Sequence, residues 1–252
     1  MAFTVLDFAS EQLRMCTQVH ICLPDAGTLR NKPDMSERKV LWLLHGLSDD
    51  SSAWMRYSRI ENFATRNDIV VVMPYGARSM YCDDCMGQNY YSHIAEELPL
   101  YLHNLFGLSL DRDKNFIAGL SMGGMGAMKI ALNNPDRYFA AGSFSGVLDF
   151  ADVALVDKDR LAAEFPFMLP YMDDPATSPL NPTALLDGEK HKDLKLYVSC
   201  GLQDHLVDAS RAFLAKAEKE GLTVESCFED GTHEWGFWNR HADRFINFAL
   251  NN

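Results

Sequence analysis

The sequence predicts an α/β fold, with a mostly parallel central sheet flanked by helices. Short apolar runs rich in β-branched residues alternate along the chain with longer segments of helical period. Most of those runs are continuously apolar rather than alternating, as expected of strands buried on both faces. The 252 residues allow one large domain or two small ones, and 47% hydrophobic content is ordinary for a globular protein.

Taken in order, residues 15–23 (MCTQVHICL) alternate and suit an antiparallel strand near a sheet edge. Residues 40–44 (VLWLL) and 69–73 (IVVVM) are buried strands, the second ended by Pro74. Strands at 115–118, 140–144, 194–199 and 223–228 complete the set. Helical patterns fill 53–66, 91–106, 122–133, 208–220 and 238–250. Asn134-Pro135 stops the third, and Gly221 follows the fourth as a C-terminal glycine should. Residues from about 149 to 187 break this rhythm with prolines and acidic residues (EFPFMLPYMDDPATSPLNP). They are expected to be a cap-like excursion above the sheet, within a single domain spanning residues 1–252.

Composition removes some classes of partner. Lys and Arg total 23 against 35 Asp and Glu, a net charge of −12, which disfavours nucleic acid and anionic membranes. No apolar run is long enough to span a bilayer. The first residues, MAFTVLDFASEQLRM, lack a basic patch followed by an apolar core, so no signal peptide is expected and the cytoplasm is the default location. Six scattered cysteines suit a reducing compartment. The CDDC stretch, Cys82 to Cys85, has no second pair or histidines at ligand spacing and opens no helix after a strand. It reads as two loop thiols. No metal and no cofactor are expected.

The chemistry begins at GLSMG, residues 119–123, where the strand FIAG meets the helix MGGMGAMKIAL. A serine at so sharp a join adopts a strained backbone, and small neighbours let the turn close. Its hydroxyl then projects above the sheet, with a helix start behind it to hold an oxyanion. Gly123, Gly124 and Gly126 would let that helix approach its neighbours closely. Ser121 is the candidate nucleophile, and a serine hydroxyl needs a base.

In a strand–turn–helix site of this kind an acid and then a histidine follow the serine. His233 lies in the loop after strand 223–228, where a base belongs. His191 sits in a charged run, DGEKHKD, and reads as a surface residue, while His241 falls inside the last helix. Asp204 lies just beyond strand 194–199 and is the favoured acid. Asp208 suits a helix N-cap better, Asp230 is too near His233 in sequence, and Asp174 lies in the excursion. The loop after VLWLL is expected to supply the second oxyanion donor, because the Leu47 amide can face the serine. His45 precedes the serine and reads as a packing residue with its ring bonded to backbone. Gly46, Trp54, Tyr81 and Trp235, with residues 165–171, are candidates for lining an acyl pocket, although such aromatics are as often core.

With these residues in place the chain resembles the α/β-hydrolases, and within them the esterase D-like group. That group holds bacterial tributyrin esterases, S-formylglutathione hydrolases, some feruloyl and acetylxylan esterases, and mycolyltransferases. The resemblance is carried by LLHGLSDDSSAW, VVVMPYGARSMYCDD, EELPLYLHNLF, FIAGLSMGGMGAMKIALNNPDRYFAAGSFSG, CGLQDHLVDAS and GTHEWGFW, most of residues 40–240. It implies Ser121 as nucleophile, Asp204 as orienting acid, His233 as base, and the Leu47 and Met122 amides as oxyanion donors. In length the chain is most like the tributyrin esterases, so the resemblance implies a short-chain acyl esterase acting on a small-molecule ester. A thioesterase for S-formylglutathione, a carbohydrate or hydroxycinnamoyl deacylase, and an inactive binding module on the same fold are the alternatives. Relatives assemble into dimers or larger oligomers, so a homo-oligomer is an expectation with no pairing surface legible.

Overall fold

The computed structural model describes residues 1–25, 34–84, 87–150, 158–171 and 173–251. Eight strands form one sheet in the order β1-β2-β4-β3-β5-β6-β7-β8. They are β1 (Ala2–Ser10), β2 (Met15–Leu23), β3 (Val40–Leu44), β4 (Val70–Pro74), β5 (Asn115–Leu120), β6 (Ala140–Phe144), β7 (Lys195–Gly201) and β8 (Val224–Glu229). From β4 to β8 all neighbours pair in parallel, while β2 pairs antiparallel with both β1 and β4.

The sheet separates two apolar layers. Along β3, Val40, Trp42 and Leu44 face one side, with Ile117, Met125 and Leu98. Leu41 and Leu43 face the other, with Phe116, Phe144 and Phe245. The period of two along a pleated strand makes that division. Among the described residues, no helix is long and apolar enough to cross a membrane.

Some elements differ from the expectations. β1 had no counterpart there: it is an edge strand, and its half-exposed alternation lacks a long apolar run. The helix expected over 53–66 is two, Ala53–Tyr57 and Ile60–Asn67. Ser58 is extended between them; its hydroxyl donates to the Trp54 carbonyl and accepts the Ile60 amide at 3.2 Å, ending one helix and starting the next. The helix expected over 91–106 starts at Tyr90 and widens into a π turn at His93–Glu97 before Leu98–Phe106. Pro99 brings no amide there, and the Ala95 carbonyl accepts Arg137 Nη1 at 2.7 Å instead. The last helix begins at Trp235, three residues early.

Within the excursion, Lys158–Glu164 is helical and Pro166–Tyr171 a 3₁₀ turn. Met168 is buried there, and Phe165 and Phe167 pack against the core. Arg78, from the loop after β4, pairs with Glu164 at 2.6 Å and covers the Phe165 ring.

Candidate active site

Ser121 joins β5 to the Met122–Asn133 helix with φ +52° and ψ −119°. A side chain in that region is strained by a few kcal/mol and persists only when its surroundings fix it. Here the Ser121 amide donates to the Phe144 carbonyl at 2.9 Å and its carbonyl accepts the Met125 amide at 3.1 Å. Gly123 lets the helix close onto the sheet: a Cβ there would lie 2.5 Å from the Leu44 carbonyl oxygen.

His233 and Asp204 come from neighbouring parallel strands. Asp204 lies beyond the end of β7, and His233 lies between β8 and the Trp235–Leu250 helix. Their loops are stitched together: the Leu202 amide donates to the Glu229 carbonyl at 2.9 Å and the Gln203 amide to the Gly231 carbonyl at 3.1 Å. The Gly231 amide returns to Gln203 Oε1 at 2.9 Å. His233 Nε2 stands 3.0 Å from Ser121 Oγ, and its Nδ1 stands 2.9 Å from Asp204 Oδ2. The ring packs edge-on against Trp238 at 4.8 Å between centroids, with His205 on another side at 4.7 Å.

The Asp204 side chain is fully enclosed, whereas that of His233 is a quarter exposed. Burial pushes the Asp204 carboxyl up, yet hydrogen bonds from His233 and the Leu206 amide carry it net below the ordinary aspartate value. An ionised Asp204 facing Nδ1 places that proton on Nδ1 and leaves Nε2 as the acceptor for the serine hydroxyl. The arrangement can pass a proton from Ser121 to the ring as the oxygen attacks an electrophile.

His45 organises the facing loop. Its Nε2 accepts the Gly76 amide at 2.8 Å, so the neutral ring carries its proton on Nδ1 and donates to the Gly46 carbonyl at 2.7 Å. Burial lowers the His45 pKa and keeps it neutral. In a planar trans peptide the Leu47 N–H points opposite to the Gly46 carbonyl that His45 holds. Gly46 stands against the serine turn: a Cβ on it would lie 2.6 Å from Leu120 Cδ1 and 3.8 Å from Ser121 Cβ. Among the described residues, neither the Leu47 nor the Met122 amide donates to a backbone carbonyl.

Two candidate pocket residues are fully enclosed. Tyr81 is fully buried; its hydroxyl donates to the His45 carbonyl at 3.0 Å, and its ring fills the space beside Gly76 and Gly126. Trp54 is buried too, with Nε1 donating to the Leu44 carbonyl at 3.0 Å. Both are core, because each has a backbone acceptor waiting inside. Trp235 is half-buried, edge-on to Trp54 and Trp238.

Other expectations also change. His191 is enclosed rather than on the surface: its Nε2 donates to the Leu132 carbonyl at 2.8 Å and its Nδ1 accepts the Asp187 amide at 3.1 Å. Asp208 caps no helix and pairs with Arg211, while the amide of the cap residue Leu206 goes to Asp204. Cys85, the second thiol of CDDC, lies outside the described residues. No sequence expectation concerns Gln203, whereas the backbone bonding expected of the His45 ring is present. A glutamine beside the acid carries no pattern, but a histidine next to a glycine at a strand end is a usable signal.

Comparison with known proteins gives the wider context. An acetyl esterase of Caldicellulosiruptor saccharolyticus is 29% identical over 253 residues, covering 96% of this chain and 95% of that one. A substrate-bound fluorophosphonate-binding serine hydrolase of Staphylococcus aureus shares 30% identity at a TM-score of 0.89, covering 100% of this chain and 99% of that one. An S-formylglutathione hydrolase from the same organism shares 30% at 0.87, covering 99% of each chain. The Esterase family model matches residues 10–243. On that match over nearly its whole length, the chain belongs to the Esterase family, as an esterase with the α/β-hydrolase fold.

Proposed function

We propose that the chain hydrolyses short-chain acyl esters of small alcohols through an acyl-enzyme, in the manner of tributyrin esterases. The observation that carries this is the pair of contacts across one ring, Ser121 Oγ to His233 Nε2 at 3.0 Å and His233 Nδ1 to Asp204 at 2.9 Å. His233 takes the serine proton as Oγ attacks the acyl carbonyl, and Asp204 stabilises the imidazolium. The Leu47 and Met122 amides bind the tetrahedral oxyanion, each donor contributing on the order of 3 kcal/mol. His233 then protonates the leaving alcohol, and water frees the acyl group by the reverse steps. On this reading the described residues of 1–252 form a single domain, and those within 149–187 are a cap-like part of it. The free thiols of Cys16, Cys22, Cys82, Cys200 and Cys227 support a cytoplasmic location.

A short acyl group is supported by the aromatic wall beside His233. Trp238 packs on the His233 ring, Trp235 packs on Trp238, and Trp54 closes the space behind Trp235. The similarity to an acetyl esterase points the same way. The second reading, a formyl thioesterase, is favoured by the likeness to the S-formylglutathione hydrolase. The test is kcat/KM for p-nitrophenyl esters from acetate to decanoate, with S-formylglutathione assayed beside them. The proposal expects a maximum at acetate to butyrate. A rate still rising at decanoate overturns the short-chain assignment, and a formyl thioester turned over at least a hundredfold better than any ester replaces it with the second reading.

A further inference from the structure

The Met122–Asn133 helix that starts behind Ser121 carries a lysine where an apolar residue would be expected. Lys129 is 2% exposed, within an apolar layer of the core. A lysine so deeply buried is ordinarily paired with a carboxylate. Among the described residues none stands within 4.0 Å of its amine. Its Nζ instead meets the Cys82 sulfur at 2.9 Å and donates to the Met80 carbonyl at 3.1 Å. The Tyr91 ring lies beyond, 6.0 Å from centroid to nitrogen.

We propose that Cys82 and Lys129 form an oxidative modification site, at which a hydroperoxide converts the thiol to a sulfenic acid and the lysine nitrogen then closes a covalent bond to that sulfur. In the first step the sulfur attacks one peroxide oxygen and the O–O bond breaks. The other oxygen leaves as water or an alcohol, taking up the thiol proton. Sulfur loses two electrons and the peroxide gains them. In the second step the amine releases one proton to water, and its lone pair attacks sulfur. The S–O bond breaks, and hydroxide leaves as water with a second amine proton. This condensation is redox-neutral and parallels the closure of a sulfenic acid onto a backbone nitrogen.

Three features of the fold favour the reaction. The two atoms are already at contact distance on rigid elements, which removes most of the entropic barrier to joining them. Met80 and Tyr81, immediately before Cys82, both have positive φ, 51° and 49°. That strained turn is locked to the same helix by Tyr81, since a Cβ at Gly126 would lie 2.4 Å from its ring. Finally, Cys82 lines a cavity of about 320 Å³ bounded by Tyr75, Ser79, Tyr90 and Phe167. A hydroperoxide, little larger than the roughly 30 Å³ of a water, has room in that cavity beside Cys82.

Cys22, Cys200 and Cys227 lack this setting. Burial pushes the Cys22 thiol up to about 12 and the Cys200 thiol up to about 11, which holds both as unreactive thiols. Cys227 faces Arg244 at 3.1 Å, and a guanidinium is no nucleophile.

The test uses the full-length protein treated with hydrogen peroxide, digested without reductant and read by mass spectrometry. The expected product is a joined pair of peptides containing Cys82 and Lys129, about 2 Da lighter than their sum. It should vanish after dithiothreitol and be absent from Cys82→Ser, whose ester turnover stays at the wild-type level. The wild-type spectrum decides the question even if that variant folds poorly. Recovery of Cys82 as a sulfinic acid beside free Lys129, a Cys82–Cys85 disulfide as the sole product, or an unreacted Cys82 would each overturn the proposal.

Discussion

Among the described residues two clusters join a serine, a histidine and a carboxylate, and they use the histidine ring in different ways. In the first, Ser121 and Asp204 meet opposite nitrogens of the His233 ring. In the second, Ser10 and Glu97 both meet Nδ1 of His93, at 3.1 and 2.6 Å. Ser10 donates directly to Glu97, so its proton has an acceptor that bypasses the ring. Its oxygen also accepts the Leu13 amide at 3.0 Å, and Glu97 accepts the Glu11 amide at 2.6 Å. The second cluster is a clamp: it closes the β1–β2 turn and ties it to the π turn at His93–Glu97. His93 is 1% exposed, whereas the His233 side chain is 25% exposed, which leaves room for a substrate. The residue types agree; what differs is which ring nitrogens are used and whether the serine sits on a strained turn.

The strongest way to break this comparison is to remove each hydroxyl in turn. Ser121→Ala is expected to lower kcat for p-nitrophenyl acetate by on the order of 10⁴ to 10⁶ with the fold intact. An enzyme that kept its turnover without the Ser121 hydroxyl would place the chemistry elsewhere. The carboxylates give the next largest contrast. Asp204→Asn loses the charge that fixes the His233 tautomer and should lower kcat by on the order of 10³ to 10⁴. Glu97→Gln should leave kcat within about twofold while lowering Tm. Comparable losses of kcat in the two variants would mean that the Glu97 cluster reaches the active site after all.

These contrasts also explain what the sequence made legible. The parallel strands announce themselves, because burial on both faces demands unbroken apolar runs such as IVVVM. Ser121 is legible because its strained turn needs particular small neighbours, and His233 and Asp204 because strand ends fix where each loop emerges. Residues whose roles depend on a distant partner were not legible. Tyr81 goes inside because Gly76 and Gly126 leave a seat for its ring. His191 sits in a charged run but finds the Leu132 carbonyl 59 residues away. The π turn needs Arg137 to take the carbonyl that Pro99 cannot serve. Nothing local to those segments encodes these partners.

A smaller effect separates the two kinds of histidine by pH. Burial lowers the pKa values of His45, His93 and His191, and takes that of His241 down to about 4. A ring kept neutral in the fold but free to protonate near 6.5 when unfolded contributes stability that is complete above pH 6.5. That stability is lost as pH falls from there, and for His241 the loss levels off below about 4. The fully enclosed His241 alone accounts for on the order of 3 kcal/mol of it. Asp204, with its lowered pKa, loses its contribution only below the ordinary aspartate value of 3.8. The Tm should therefore begin to fall near pH 6.5, well before any carboxylate titrates. A Tm flat from pH 8 to 5 would mean that these rings are not held neutral by burial.

The smallest effect tests the clamp itself. Ser10→Ala removes the hydroxyl that accepts the Leu13 amide and donates to Glu97. Leu13 is 4% exposed, so its N–H is left without a partner inside the fold, at a cost of about 1–2 kcal/mol. For a chain of this size each kcal/mol corresponds to a Tm decrease of about 2–4 °C. Glu97 keeps His93 and the Glu11 amide, so the carboxylate stays satisfied and the loss stays local to the hairpin turn. Turnover of p-nitrophenyl acetate should not change, because β1 is the far edge of a sheet whose opposite half holds Ser121, Asp204 and His233. A Tm equal to wild type would show that water replaces the hydroxyl. The turn would then be held by Glu97 alone, and the serine beside His93 would be a coincidence of composition rather than part of a clamp.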